Sequence, residues 1–301
     1  MDKKLALAGI RERARRVNLI RWMYGEARRV SYIPGFLWAE AWYWRLFLAE
    51  FVCLRWGRWR YGHLYQQRDK NPLVSVVIPT LNRGRLLVER TLPSIFAQTY
   101  QNFEVVIVGD HSPQETVDRI SQVKDPRVRF YNLPKGGRYP KDPRRRWAVA
   151  GSAPVKKAEE MVQGEWIAPL DDDDVFTADH IETLLRKAQQ GDYELVAGAF
   201  MEERTPGILT SGIDPLRNWT FATRSIRSSW LYRSYLRCIK LDLHCWRYKL
   251  NGDQSIKKRF FRAGVRMAYL DHIVTHKLIA PGAKFLYAGQ ALDAARHEAH
   301  D

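Results

Sequence analysis

Four consecutive aspartates, residues 171–174, follow the apolar residues IAPL in the stretch IAPLDDDDVF. Carboxylates at such short range repel one another strongly, and a bound divalent cation relieves that repulsion. Mg²⁺ and Mn²⁺ prefer carboxylate oxygens, and Mg²⁺ usually takes one or two protein carboxylates together with substrate phosphates. A solvated acidic turn is the alternative, but the run directly follows a predicted buried strand. The sequence therefore predicts a site for Mn²⁺ or Mg²⁺ at the aspartate run.

A second acid that could do chemistry is Asp253, which lies in the stretch NGDQS at the start of a predicted helix. A carboxylate can take a proton from a hydroxyl group that lies within about 3 Å of it, so Asp253 is a candidate general base. Aspartate is also a favoured N-cap of helices, and this structural role is the alternative.

Alternating strands and helices must position these acids. Short continuous apolar runs predict buried strands, and helical patterns between them indicate a parallel α/β sheet covered on both faces. Ligands bind at the carboxyl ends of the strands in such sheets, where Thr80, Asp110 and the aspartate run follow three of the predicted strands. The predicted strands are residues 73–79, 103–110, 127–132, 165–170 and 193–200, and the predicted helices are residues 85–98, 114–123, 155–163, 178–189 and 253–264.

Composition narrows the classes of partner. The 301 residues carry a formal net charge of +16, which favours anionic ligands, lipids or nucleic acids. No P-loop pattern is present, and the three cysteines show no C-x-x-C spacing, which predicts neither a zinc site nor a disulfide framework and favours a reducing compartment. No stretch reaches the roughly 20 uncharged apolar residues of a transmembrane helix, and no secretory signal is evident. We therefore expect a cytoplasmic protein.

Residues 1–70 differ from the rest of the chain, with fifteen Lys and Arg against six Asp and Glu and six of the eleven tryptophans. Apolar residues at helical spacing between residues 10 and 24 predict a basic amphipathic helix. Through residues 1–60 such a region could lie on the anionic inner face of the cell membrane as a peripheral protein. Packing on the following domain is the alternative, particularly for residues 36–56, whose charges are spread around a helix. We therefore divide the chain into an N-terminal region and a domain of residues 71–301.

Three separated motifs occur in one order along the chain: VSVVIPTLNRGRLLVERTLPSIFAQTYQNFEVVIVGDHS, GEWIAPLDDDDVF and NGDQSIKKRFFRAGVRMAYLD. From Val74 to His276 they resemble the family 2 glycosyltransferases of GT-A fold. The resemblance implies a Rossmann-like, mostly parallel sheet with helices on both faces. It also implies a nucleotide-sugar-binding half, residues 71–200, and an acceptor-binding half, residues 201–301.

The resemblance also assigns roles to residues. It places the loop after the first strand beside the nucleotide, Asp110 on the base, and Asp253 at the position of the general base. The register of metal ligands within the four aspartates is left open. Implied nucleotide-sugar contacts are Pro79, Thr80, Asn82, Arg83, Asp110, Asp171 and Asp172, and implied metal ligands are Asp173, Asp174 and His276.

Three departures from the family pattern concern the nucleotide and the base. Gly109 stands where the family usually has the first of two aspartates, and His111 replaces a common glycine. Gly252 precedes the candidate base in place of an acid, and APVKKA stands where an arginine–asparagine pair is usual. Details of nucleotide contact are therefore in question, but the candidate base is present.

The acceptor side is rich in Trp, Tyr and Arg between residues 200 and 250. Aromatic faces stack on sugar rings, so we expect Trp230 to shape the acceptor pocket, with ordinary packing as the alternative.

The resemblance implies a metal-dependent, inverting glycosyltransferase that moves a sugar from a nucleotide-diphosphate sugar, with UDP expected, to a hydroxyl group of a glycan or lipid-linked acceptor in cell-surface glycan synthesis. A catalytically inactive scaffold of the same fold is one alternative. A nucleic-acid-binding protein is another, but no nucleic-acid-binding motif is evident and the acidic run would repel phosphates. No nucleic acid is therefore expected as a partner.

Overall fold

A computed structural model describes residues 41, 44–62, 71–205, 208–211, 225–248 and 250–278. The chain divides into two compact units, Met1–Ala49 and Glu50–Asp301. In the smaller unit the described residues are helical, and the rings of Trp44 and Phe47 meet edge to face at 5.7 Å. The larger unit contains every strand given below.

Nine strands among the described residues form one sheet in the order β3-β2-β1-β4-β8-β6-β9-β5, and β7 pairs with β6. The first four strands are parallel to one another, whereas β8, β5 and β7 run antiparallel to their neighbours. The strands are β1 Val74–Thr80, β2 Phe103–Gly109, β3 Val128–Asn132, β4 Trp166–Pro169, β5 Asp174–Phe176, β6 Leu195–Thr205, β7 Ile208–Ser211, β8 Trp230–Arg233 and β9 Met267–Lys277.

Helices cover both faces of this sheet. The helix α1 covers residues 44–62, and a π-helical turn, Leu87–Thr91, joins α2 to α3. The other helices are α2 Gly84–Leu86, α3 Leu92–Phe96, α4 Gln114–Ser121, α5 Pro143–Val149, α6 Ser152–Met161, α7 His180–Gln190 and α8 Gly252–Ala263.

The alternation of side chains along the central strands builds two hydrophobic cores. In β1, Val74, Val76 and Ile78 enter the core that contains side chains of α3, α4 and α7. Val77, between them, enters the core on the other face, which contains side chains of α1, α6 and α8. Because successive side chains of a strand point to opposite faces, a strand buried on both faces is apolar at nearly every position. This explains the continuous apolar runs of the sequence.

The structure confirms an α/β fold with a parallel portion, and it extends that portion with an antiparallel one. The strands β5, β7 and β8 contain three or four residues each. Such short segments carry too little periodicity to be recognised in the sequence. The sheet is therefore more mixed than the expected mostly parallel one.

Residues 50–62 of α1 belong to the larger unit, and there one face of the helix is buried and the other is exposed. Leu54 is fully buried, and Arg58 forms hydrogen bonds of 2.7 and 2.5 Å with Glu194. Val52 and Trp59 lie on the opposite face and are 65% and 77% exposed. The expected packing is therefore found for one face only, whereas residues 10–24 lie outside the described part of the chain.

Two further observations concern the N-terminal part of the larger unit. Cys53 and Cys238 form a disulfide with a Cα–Cα distance of 6.5 Å, which the spacing of the cysteines did not predict. Their separation of 185 residues gives no local signal in the sequence. No helix among the described residues is both long and apolar enough to cross a membrane.

Candidate active site

The carboxyl ends of β1, β2 and β4 meet at one edge of the sheet. The backbone N–H of Asp110, after β2, donates to the carbonyl oxygen of Thr80, the last residue of β1, at 2.7 Å. The hydroxyl of Thr80 donates to Asp172, after β4, at 2.7 Å. The three polar strand ends of the sequence therefore lie in direct contact.

Asp172 ties the loop after β1 to the aspartate run. Its side chain is 7% exposed and accepts a hydrogen bond of 2.8 Å from Arg83, and the same guanidinium nitrogen lies 2.6 Å from Asp173. Desolvation raises the pKa of Asp172, although the charge of Arg83 opposes this effect. Asp172 therefore holds the loop and has little surface left for a ligand.

Asp174 turns inward as well, and Ser228 is its partner. The hydroxyl of Ser228 donates to Asp174 Oδ2 at 2.6 Å and accepts the backbone N–H of Asp171 at 3.2 Å. The second carboxylate oxygen of Asp174 is buried without a hydrogen-bond partner. Desolvation and the charges of Asp171 and Asp173 raise the pKa of Asp174. Asp174 is thus a buried carboxyl group, and one of its oxygens accepts no hydrogen bond.

Asp171 is the exposed acid of the run, whereas Asp173 is partly exposed and Asp172 and Asp174 are buried. Desolvation by the surrounding protein, together with the charges of Asp253 and Asp173, raises the pKa of Asp171 to about 7. Asp253 lies 82 positions later in the sequence, yet its charge acts on Asp171. The proposed base and the aspartate run therefore lie near each other.

Asp253 lies in the first turn of α8, but it is not the cap of that helix. Asn251 caps α8, since its side chain accepts the backbone N–H of Gln254 at 2.8 Å. Asp253 instead accepts a hydrogen bond of 3.3 Å from the backbone N–H of Arg227. Because Ser228 follows Arg227 directly, one short turn holds both Asp253 and the aspartate run.

The strand β9 brings a lysine to these acids. Its register with β5 places Lys277 opposite Asp174 and His276 opposite Val175. Directly opposed residues share a face and successive residues alternate, so Lys277 lies on the face of Asp174 and His276 on the other. Desolvation lowers the pKa of Lys277, but the carboxylates around it outweigh this effect and raise the pKa overall. His276 is therefore not brought to the acids, contrary to the expected ligand role, and Lys277 is a site residue that the sequence did not reveal.

Asp110, the expected contact of the nucleotide base, already has two partners. The backbone N–H of Gly137 donates to one carboxylate oxygen at 2.7 Å, and the hydroxyl of Tyr139 donates to the other at 2.6 Å. Burial, and then the carboxylate of Asp110, raise the pKa of Tyr139, so the phenol stays protonated. These two hydrogen bonds thus hold the loop between β3 and α5 against Asp110, at the end of β2.

The departures at residues 109 and 111 have a local cause. A β-carbon on Gly109 would lie 2.4 Å from the side-chain oxygen of Asn132 and 2.7 Å from the hydroxyl of Ser112. That asparagine oxygen accepts the backbone N–H of Ser112 at 2.8 Å, which leaves no room for an aspartate. His111 adopts the left-handed conformation, with φ of 60°, in which a glycine is less strained.

The remaining predicted contacts lie in different environments. Pro79 is partly buried and Asn82 is exposed, both beside the edge that carries Thr80. Trp230 is fully buried in the core, where its indole N–H donates to Ser225 at 3.0 Å. This burial corrects the expected contact of Trp230 with an acceptor, because no indole surface is open to a ligand.

The donor atoms of the acid run fit a divalent cation. Asp171 and Asp173 repel one another, and the buried Asp174 has an unshared oxygen. Within the described ranges, no three His, Cys, Asp or Glu side chains converge in a group that could hold a metal ion. The protein would therefore supply one or two carboxylates, which suits an ion that shares its remaining positions with phosphate oxygens.

The sheet has the fold of the GT-A glycosyltransferases. The UDP complex of S. aureus TarS residues 1–349 superposes with a TM-score of 0.52 at 18% identity, over 69% of this chain and 61% of that one. A mannosyltransferase from Pyrobaculum calidifontis, in complex with GDP-Man and Mn²⁺, gives a TM-score of 0.52 at 16% identity, over 86% of this chain and 72% of that one. At these identities the likeness concerns the fold alone.

The sequence profile of the Glycosyl transferase family 2 matches residues 75–141 and 143–233, which is more than half of the chain. The chain therefore belongs to this family of glycosyltransferases.

Curated relatives agree with that assignment. "Glycosyltransferase GlyG" of Streptococcus pneumoniae is 32% identical over 131 residues, 42% of this chain and 39% of that protein. A "GalNAc(5)-diNAcBac-PP-undecaprenol beta-1,3-glucosyltransferase" of Campylobacter jejuni is 27% identical over 135 residues, 44% of this chain and 40% of that protein. The matches thus span about two fifths of the length of these relatives.

Proposed function

We propose that the protein is a metal-dependent, inverting glycosyltransferase that uses a nucleotide-diphosphate sugar and a hydroxyl acceptor. One observation carries the proposal: adjacent residues of one turn, Arg227 and Ser228, bind Asp253 and the aspartate run, which brings the candidate base to the candidate donor site. Belonging to the family supports the transfer of a sugar. The inverting course and the metal are the proposed refinements.

Asp253 removes the proton from the attacking hydroxyl group. The acceptor oxygen then forms a bond to the anomeric carbon while the bond from that carbon to the diphosphate breaks. With the base on one side and the leaving group on the other, a single displacement inverts the configuration. No second carboxylate is needed as a nucleophile, in contrast to a retaining glycosidase. A positioned base of this kind contributes on the order of 10²–10⁴ in rate.

Asp171 and Asp173 are the residues that would hold a divalent cation at the donor diphosphate. Such an ion neutralises the charge that develops on the leaving diphosphate. Arg83 and Lys277 place positive charge at the same edge. Asp171, with its raised pKa, loses its proton more readily once a cation is near.

The base of the nucleotide is proposed to lie between Pro79 and the loop held by Asp110. Release of Tyr139 or Gly137 would free an oxygen of Asp110 for the base, and uracil is the expected partner. One solved structure of similar fold is a complex with UDP and another is a complex with GDP-Man, so both bases belong in the test.

The acceptor is proposed to be a cell-surface glycan or its lipid-linked precursor. The Campylobacter jejuni relative is named for an acceptor linked to undecaprenol through a diphosphate, which supports this proposal. Peripheral contact with an anionic membrane is part of the same proposal, and the exposed Val52 and Trp59 of α1 support it.

Two measurements test the proposal. The first is thermal unfolding with UDP, GDP and dTDP, each with and without Mn²⁺, because a bound nucleotide raises the melting temperature by mass action. We expect stabilisation by one nucleotide that depends on Mn²⁺ and is lost in Asp171→Asn. Absence of stabilisation by every nucleotide would contradict the proposed donor.

The second measurement is sugar transfer or donor hydrolysis by Asp253→Asn. Turnover should fall on the order of 10²–10⁴-fold while nucleotide binding is kept. Asp118→Asn is the matched control, since Asp118 is an exposed helical aspartate whose carboxylate accepts a hydrogen bond from Gln114 in the same helix. Full turnover in Asp253→Asn would refute the role of the base, and no turnover in the wild type with any donor would favour an inactive scaffold. The anomeric configuration of the product, read by NMR, tests inversion.

A further inference from the structure

Helix α5 carries a positively charged, aromatic surface for which the reaction above gives no role. Its sequence is PRRRWAV, and Asp142 caps it by accepting the backbone N–H of Arg145 at 2.9 Å. Arg144, Arg145 and Arg146 are exposed, and Trp147 is 66% exposed. Only Val149 of this helix is buried. The charged and aromatic side chains of this helix thus face solvent rather than the core.

A second aromatic segment completes this surface. The guanidinium of Arg145 lies 4.5 Å from the ring centroid of Trp246, and that of Arg247 lies 5.2 Å from the same ring. The thiol of Cys245 contacts the carbonyl oxygen of Ala148 at 3.6 Å and fixes the segment against α5. We call Arg144, Arg145, Arg146, Trp147 and Trp246 the α5 surface.

The α5 surface lies beside the candidate base. A β-carbon on Gly252 would lie only 3.5 Å from the carbonyl oxygen of Ala148, so the end of α5 meets the start of α8. Asp253 is the next residue of α8. A group bound on the α5 surface is therefore a neighbour of the hydroxyl that Asp253 would deprotonate.

The arginines of this surface have no acidic partner within the part of the chain that the structure describes. Other exposed helical arginines, such as Arg85, Arg119 and Arg186, each pair with a glutamate four residues away. Arginine binds phosphate through two parallel hydrogen bonds, and aromatic faces stack on sugar rings. Three unpaired arginines between two tryptophans therefore suit a sugar that is linked to phosphate.

We propose that the α5 surface binds the phosphate groups of the acceptor, so that the acceptor is a glycan linked through a diphosphate to a lipid. This inference rests on the proposed function, because it takes Asp253 as the base that acts on the acceptor. In this assignment the residues at the carboxyl ends of β1 and β4 bind the donor diphosphate, and the arginines of α5 bind the phosphate groups of the acceptor.

The test uses the full chain and the triple variant Arg144→Gln/Arg145→Gln/Arg146→Gln. The matched control, Arg85→Gln/Arg119→Gln/Arg186→Gln, removes the same number of exposed helical arginines. Geranyl diphosphate is the probe, and its binding is measured by calorimetry without metal, with geraniol as the uncharged comparison. We expect wild type and control to bind alike and the triple variant to bind on the order of tenfold more weakly or worse. Equal binding by the triple variant, or no binding by the wild type, overturns the proposal.

Two further arms separate other sources of phosphate. UDP with Mn²⁺ should bind the triple variant as it binds the wild type, and loss of this binding would assign the arginines to the donor instead. Phosphatidylglycerol vesicles should be bound equally by the triple variant and the control, and a selective loss would assign the surface to the membrane. Failure of the wild type to bind any nucleotide would overturn the proposed function, whereas the geranyl diphosphate result would still decide whether α5 binds a diphosphate. Trp147→Ala is a second variant that keeps every charge, and it should bind geranyl diphosphate as the wild type does, because this probe has no sugar ring; a loss on the order of tenfold in this variant would contradict the assignment of diphosphate binding to the arginines.

Discussion

Replacing Ser228 with alanine removes the hydrogen bond that holds the inner acid of the aspartate run. Ser228 is 1% exposed, and its hydroxyl donates to Asp174 and accepts the backbone N–H of Asp171. The adjacent Ser229 is an internal control. It is fully buried too, but its hydroxyl donates only to the carbonyl oxygen of Ile226, at 2.8 Å. Both substitutions delete one buried oxygen, so they differ mainly in the charge of the partner.

The expected magnitudes follow from that difference. A hydrogen bond to a charged group contributes about 1.5–3 kcal/mol, and a neutral one contributes about 1 kcal/mol. Ser228→Ala also leaves the Asp174 carboxylate without a hydrogen-bond donor among the described residues, since its other oxygen is already unpartnered. We therefore expect a loss of about 2–4 kcal/mol in the free energy of unfolding for Ser228→Ala, against about 0.5–1.5 kcal/mol for Ser229→Ala.

The pH dependence sharpens the comparison. The pKa of Asp174 is raised in the folded state, so the folded protein binds the proton more tightly, and stability falls as the pH rises through the folded pKa. Loss of the Ser228 donor raises that pKa further, so the variant loses more stability than the wild type over the same window. The difference between the two proteins should therefore grow as the pH rises through the raised pKa of Asp174.

Urea unfolding followed by circular dichroism measures these free energies at each pH. If Ser228→Ala costs no more than Ser229→Ala at about pH 8, or if the difference does not grow with pH, the electrostatic account of the aspartate run is refuted.

Two other predictions concern the framework. Glu194→Gln should cost about 2–4 kcal/mol at neutral pH in urea unfolding, because it breaks a pair with Arg58 that is only partly exposed. Desolvation raises the pKa of Glu194, but hydrogen bonds from Arg58 and Tyr235 lower it overall. The stability that Glu194 contributes is therefore present above about pH 4.5 and is lost as the pH falls. The difference in the free energy of unfolding between the wild type and Glu194→Gln should shrink over the same range. Gly164→Ala should lower the melting temperature strongly, since a β-carbon there would lie 2.6 Å from a backbone oxygen. In Gly62→Ala, in α1, the β-carbon would meet nothing within 4 Å, so stability should change by no more than about 1 kcal/mol. Similar melting temperatures for the two glycine variants would contradict this packing argument.

The parallel half of the fold was predictable because the patterns that indicate it lie in short, continuous stretches of the sequence. The strands β1, β2 and β4 are buried on both faces and largely apolar, and the predicted segment at residues 103–110 differs from β2 by a single residue. The acids at the strand ends were predictable for the same reason, since a polar residue directly after a buried strand lies at the sheet edge.

The partners of those acids could not be predicted, because they come from distant antiparallel segments. Ser228 follows Asp174 by 54 residues, and nothing about a serine in SIRSS marks it as the partner of a carboxylate. Lys277 faces Asp174 only because β9 pairs with β5 in one register, and a shift by a single residue would present His276 instead. The motif THK is visible in the sequence, but the register in which β9 pairs with β5 is not. The burial of Trp230 has the same origin, since β8 lies inside the sheet between β4 and β6.

The structure also explains why a strongly basic chain places four aspartates together. Asp172 and Asp174 turn inward, where Arg83 and Ser228 hold them, and Asp171 and Asp173 remain accessible to solvent. Inner acids that are fixed by hydrogen bonds cannot move away from the outer ones. Desolvation and the charges of Asp253 and Asp173 raise the pKa of Asp171 to about 7, and the charge of Asp171 in turn raises the pKa of Asp174. A cation at the outer acids removes the repulsion between these charges and thereby gains affinity that an isolated pair of aspartates would not provide. The inner pair therefore contributes to cation binding without touching the ion, and Ser228→Ala should weaken Mn²⁺ binding even though Ser228 is not a ligand.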